Sequence, residues 1–106
     1  MDLEQRQALK KMVKAQERAK ARARFPLPDD VLAAFFAGVE KRVDESGCDD
    51  TRRLTEEWLG ARGHDTEAVI AWLASAGGYC DCEVVANAMP HWQDSRLGAH
   101  RDDEPV

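Results

Sequence analysis

The chain has 106 residues, 43% hydrophobic and 33% charged, which supplies one modest core and argues for a single domain. It holds no run of about 18 apolar residues, and its opening, MDLEQRQALKK, lacks the apolar centre of a secretion signal, so a cytoplasmic protein with no membrane span is expected. The net charge of −5 conceals an asymmetry: residues 1–24 carry eight Lys/Arg against three acids, and the remainder carries seven against seventeen.

Residues 3–24 are rich in Ala, Leu, Lys, Arg, Gln and Glu, and neither Gly nor Pro interrupts them; the composition predicts one helix. Leu9, Met12, Val13 and Ala19 give it only a weak apolar stripe. Lys10, Lys14, Arg18 and Arg22 recur every four residues as a basic ridge, and Lys11, Lys20 and Arg24 add to it. Such a segment suits nucleic-acid phosphates, RNA included, through counterion release; the competing reading is a solvated helix that shields one side of the core. Phe25-Pro26-Leu27-Pro28 ends it, because proline removes a donor and pushes its predecessor out of the helical region.

Asp29 or Asp30 is placed to cap a second helix running to about Glu45, with Val31, Leu32, Phe35, Phe36, Val39 and Val43 on one face and Gly47 as its stop. A third is expected from about Asp50 to Ala61, with Leu54, Trp58 and Leu59 inward and Gly63 at its end. A fourth begins near Asp65 or Thr66, buries Val69, Ile70 and Leu73 with Trp72 at the margin, and stops at Gly77-Gly78. Beyond it, Asp81 can cap a short helical turn reaching Met89, although the alternation there equally suits a short strand, and Trp92 is expected outside the helices as an exposed contact. The fold class is therefore mainly α: a basic N-terminal helix over residues 1–25 protruding from a compact helical core over 26–92, and a flexible acidic tail over 93–106.

The chemistry-bearing residues are Cys48, Cys80 and Cys82. An odd cysteine count without a secretion signal argues against a disulfide framework. Thiolates favour zinc in a tetrahedral site, and a Cys80-x-Cys82 pair can chelate one ion from a turn, although most zinc motifs space their cysteines more widely. His64, His91, Asp50 or water are the candidates for a fourth ligand. The competing reading is that the thiols pack as small hydrophobes. Asp49, Asp50, Asp81 and Glu83 flank them, and their charge is expected to raise thiol pKa values and disfavour a nucleophilic cysteine. No orienting partner for a Cys/His pair is visible, and the chain is short for a substrate cleft, so neither an enzyme nor a small-molecule substrate is expected.

Gly77-Gly78-Tyr79-Cys80-Asp81-Cys82-Glu83-Val84 after Trp72-Leu73, then Cys48-Asp49-Asp50-Thr51-Arg52 with Thr55 and Trp58-Leu59, and Glu17–Arg22 before Phe25-Pro26-Leu27-Pro28, resemble a family of small bacterial domains of unknown function. The likeness covers most of residues 15–88. The family pattern reads Cys-Asp-His-Thr where this chain has Cys48-Asp49-Asp50-Thr51, so a histidine ligand, if relatives use one there, is lost or exchanged here. A mycobacterial member of this kind is associated with ribosome hibernation under zinc starvation, helping a hibernation-promoting factor reach the ribosome. The resemblance thus implies a zinc-linked switch through the C-x-C motif, with the ribosome and a hibernation-promoting factor as partners. An acidic core fits basic ribosomal proteins, as a basic helix fits ribosomal RNA.

Overall fold

The computed structural model describes residues 2–98. Among these the regular structure is entirely helical: α1 (Leu3–Ala23), α2 (Asp29–Ser46), α3 (Arg53–Ala61), α4 (Thr66–Ser75), α5 (Asp81–Glu83), a π-helical turn (Val84–Ala88) and α6 (Met89–Ser95). The mainly α expectation holds. None of these helices is long and apolar enough to cross a membrane.

The apolar stripe of α2 makes it the central helix. Leu32, Phe35, Phe36 and Val39 are buried along one face, against Trp58 and Leu59 of α3, Val69, Trp72 and Leu73 of α4, and Val84, Ala88 and Trp92 of the last helical segment. Aromatic rings knit these elements together. Phe35 meets Trp58 edge-on at 5.4 Å and Phe36 at 5.0 Å; Phe36 in turn meets Trp92 at 5.4 Å and Trp72 at 6.2 Å. Phe25, from the proline-bounded linker, closes the series against Trp72 at 5.6 Å. Such pairs add to the apolar area they bury and fix relative orientation.

Four sequence expectations change. Trp72 is not marginal but buried, and Trp92 is not an exposed contact outside the helices: it sits in α6, is 5% exposed, and its indole N–H donates to Asp29 Oδ1 at 3.2 Å. Asp29 therefore serves a distant tryptophan rather than capping α2, whose N-cap is Pro28 with no side-chain cap bond. The helical body also runs past residue 92, since Gln93–Ser95 complete α6 and Ser95 is buried. Residues 99–106 of the expected tail lie outside the described residues.

Pro90 stands inside this segment, near the start of α6, without ending it. A proline ring collides with the carbonyl four residues back and offers it no donor. The π turn immediately upstream, closed by the Met89 N–H onto the Val84 carbonyl, widens the helix where that conflict would arise. Val84, Ala88, Trp92 and Ser95 consequently all stay on the buried face.

α1 is anchored differently. It has no buried residue; Ala15, Arg18, Ala21 and Arg22 are the half-buried positions, and α1 packs on α6 through its second half. Arg22 Nη1 donates to the Ser95 carbonyl at 2.9 Å. A capping box between Asp2 and Gln5 completes the far end. The molecule is elongated, 52 × 23 × 20 Å.

Helices α2 and α3 approach most closely at Gly38, where an added Cβ would lie 2.5 Å from Trp58 Nε1. Gly38→Ala is expected to destabilise the fold by about 1–3 kcal/mol, since a packed indole has no room to retreat. Chemical denaturation followed by tryptophan fluorescence measures it.

Candidate metal centre

The loop between α2 and α3 and the turn before α5 form one structure. Gly77, with φ 86°, reverses the chain after α4, and the Gly78 N–H returns to the Leu73 carbonyl at 2.8 Å. The chain then runs extended through Cys80 into α5. Asp81, only 1% exposed, does not cap its own helix as the sequence suggested. Its carboxylate accepts the N–H groups of Leu54 and Thr55, both at 3.0 Å, and the Thr55 hydroxyl at 2.8 Å, so it caps α3 from a distance of 27 residues in sequence. Helix α3 has no side-chain cap of its own. The Asp81 N–H donates to the Thr51 carbonyl at 2.9 Å, fastening the same two loops by backbone.

This arrangement brings the three sulfurs together. The Sγ atoms of Cys48, Cys80 and Cys82 all lie within 4.8 Å of one another, with Cys80 and Cys82 3.2 Å apart. Three thiolates bound tetrahedrally at a zinc–sulfur distance of about 2.3 Å stand roughly 3.8 Å apart, so small side-chain movements accommodate the ion. A soft, all-sulfur donor set suits zinc or another thiophilic metal rather than magnesium or calcium. The residues present therefore fit a metal held by Cys48, Cys80 and Cys82.

None of the expected fourth ligands belongs to this group. His64 lies stacked on Trp58, with ring centroids 5.9 Å apart and planes 14° apart. His91 lies in α6, facing Trp72 at 6.2 Å. Asp50 contributes backbone instead: it holds a left-handed φ of 66°, and its N–H donates to the Cys48 sulfur. Glu83, read from the sequence as a flanking charge and not as a candidate ligand, places its Oε1 3.6 Å from Cys80 Sγ; its i,i+3 spacing from Cys80 was the available signal. Cys82 is exposed, Cys48 half-buried and Cys80 buried, so one side of the cluster opens to solvent.

The electrostatics also differ from the sequence expectation. Burial, more than neighbouring charge, pushes the Cys80 thiol up to about 12. Cys48 goes down, because the backbone N–H groups of Cys82 and Asp50 both point at its sulfur. Of the flanking acids, Glu83 lies against Cys80, whereas Asp49 and Asp81 are engaged elsewhere. Asp49 accepts from the Thr51 hydroxyl at 2.5 Å and from Arg53 Nε at 3.4 Å, and Asp81 is spent on α3.

The basic residues of α1 sit away from this cluster. Lys10, Lys11, Lys14, Lys20 and Arg24 are exposed, Arg18 is half-buried, and Arg22 is turned inward onto Ser95 as a packing anchor rather than a solvent-facing cation.

Removing the Asp81 carboxylate in Asp81→Ala leaves three buried donors without partners and is expected to cost about 3 kcal/mol or more, read by thermal or chemical denaturation. Metal loading must displace the Cys80 proton at neutral pH, so apparent zinc affinity is expected to rise by about tenfold or more per pH unit between about pH 6 and 8. Titration against a competing chelator checks this. Affinity flat across that range would exclude Cys80 as a ligand.

A family model described as a protein of unknown function, DUF2695, matches residues 35–87, which span both cysteine-bearing loops. Two relatives described as uncharacterized proteins, Rv2271 of Mycobacterium tuberculosis and Mb2294 of Mycobacterium bovis, are each 33% identical over 89 residues, covering 84% of this chain and 90% of their own. No solved structure matches it. The chain belongs to the DUF2695 family.

Proposed function

We propose that this protein is a zinc-responsive, non-enzymatic adaptor that docks on the ribosome in the cytoplasm and helps bring a hibernation-promoting factor to it when zinc is scarce. The observation that carries the proposal is the convergence of Cys48, Cys80 and Cys82 within 4.8 Å from two loops far apart in sequence. Three soft donors with an open side suit reversible occupancy better than a closed four-ligand structural site does. Two further points support the ribosomal part: the exposed lysines of α1, and the likeness of the Cys48–Arg52 and Gly77–Val84 stretches to a family with a member tied to zinc starvation.

A second reading is favoured by the burial of Cys80, which packs as a small apolar residue does: an interaction module indifferent to zinc. Metal analysis separates the two. Protein purified without added zinc and then dialysed against it is expected to hold one equivalent, and Cys80→Ser/Cys82→Ser none; equal stoichiometry in both would remove the site.

Co-sedimentation with purified bacterial ribosomes tests the docking role. Pelleting is expected to respond to zinc addition and chelation, and to fall steeply with salt as phosphate contacts give way. Reversing Lys10, Lys14, Lys20 and Arg24 to glutamate is expected to abolish it. Failure to pellet with or without zinc would overturn the ribosomal role and leave the metal centre standing.

A further inference from the structure

A groove runs between the second half of α1 and α6, with the end of α4 beside it. Two hollows of about 360 Å³ and about 440 Å³ share Glu17, Ala21 and His91, so they join into one channel along the second half of α1. Lys14, Lys20 and Arg24 of α1, all exposed, line it together with half-buried Arg18, and these four cations outnumber the two carboxylates, Glu17 and Asp94, that line it as well. Small Ala21 leaves its floor open, and the exposed ring of His91 forms an aromatic wall, backed by the buried indole of Trp72 at 6.2 Å with 48° between the planes.

We infer that this groove is a binding site for single-stranded RNA, taking a base against the exposed ring of His91 and the flanking phosphates on Lys14, Lys20 and Arg24. Stacking surface beside spaced cations is the combination by which proteins hold unpaired strands. Each lobe is of a size to admit a nucleobase. Glu17 argues for a nucleotide over a bare phosphate: its carboxylate repels an anion but accepts from a base amino group or a ribose 2′-hydroxyl. It argues equally against an acidic peptide, which offers carboxylates and no planar ring for the wall. The inference rests on the RNA-facing reading of α1 and deepens it. It moves the contact from the ridge Lys10–Lys14–Arg18–Arg22 to a channel that excludes inward-turned Arg22 and includes a histidine the ridge never touched.

The full-length chain, isotopically labelled, is titrated with a mixed-sequence single-stranded RNA heptamer and followed by amide and indole NMR shifts. Shifts are expected to cluster on the second half of α1, Ser75, His91 and the Trp72 indole. His91→Ala, at an exposed position, is expected to weaken binding about five- to tenfold, and Lys20→Glu/Arg24→Glu tenfold or more. Arg6→Glu/Lys10→Glu makes the same charge change outside the groove and is expected to cost less than about threefold. Equal losses from the two double variants, shifts scattered along α1, or equal competition by inorganic phosphate or a polyglutamate peptide would each overturn the groove. Absence of heptamer shifts in the channel, with zinc-responsive ribosome pelleting intact in the same protein, would overturn the groove alone. Loss of pelleting in the unaltered protein, with heptamer shifts intact in the channel, would overturn the ribosomal role alone.

Discussion

The carboxylate of Asp81 holds the functional end of this molecule together. It is almost fully buried, and three donors at the N-terminus of α3 converge on it, along with the positive end of that helix. The same residue's N–H binds the Thr51 carbonyl. One side chain and one amide thus tie the end of the α2–α3 loop to the start of α5. Cys48 lies just upstream on one strap and Cys80 and Cys82 flank Asp81 on the other. The sulfurs meet because an acid between two cysteines is aimed away from them.

The rest of the fold serves to keep those straps in register. α2 meets α3, α4 and α6 through the adjacent rings of Phe35 and Phe36, and α3 can lie close to it only because Gly38 presents no side chain to Trp58. The π turn lets Pro90 remain inside a helix, which carries Trp92 back under Phe36 and onto Asp29. Without that extra width, the helix would end near residue 88 and α1 would lose the Ser95 carbonyl that Arg22 grips.

Much of this is legible from residue type and spacing. The stripes of α2, α3 and α4, their glycine stops and the protruding basic helix follow from a 3.6-residue period and from composition. The three cysteines are identifiable as a set because no other residue pattern competes for them. What the sequence conceals is pairing at long range. Asp81 reads as a local cap because caps are local as a rule, and its true partners lie 26 and 27 residues away. Trp92 reads as exposed because a proline two residues before it reads as a helix end, and only the widened turn removes that conflict. His64 and His91 attract attention as ligands by element chemistry alone, whereas the fold sets His64 on Trp58 and His91 beside Trp72, outside the cysteine cluster.

The geometry of α1 carries a consequence for how two surfaces on one small protein can act together. A helix of 21 residues spans about 30 Å at 1.5 Å per residue, and this one is gripped by the core only along its second half. Its first half is therefore a stiff arm with a fixed offset from the body rather than a tether that wanders. For a partner engaged by both arm and body, the local concentration of the second surface is set by that offset and not by linker length. It is high for a target whose two faces match the spacing and negligible for one whose faces do not. Selectivity among large, uniformly anionic assemblies can then arise from distance, where charge alone would make them equivalent.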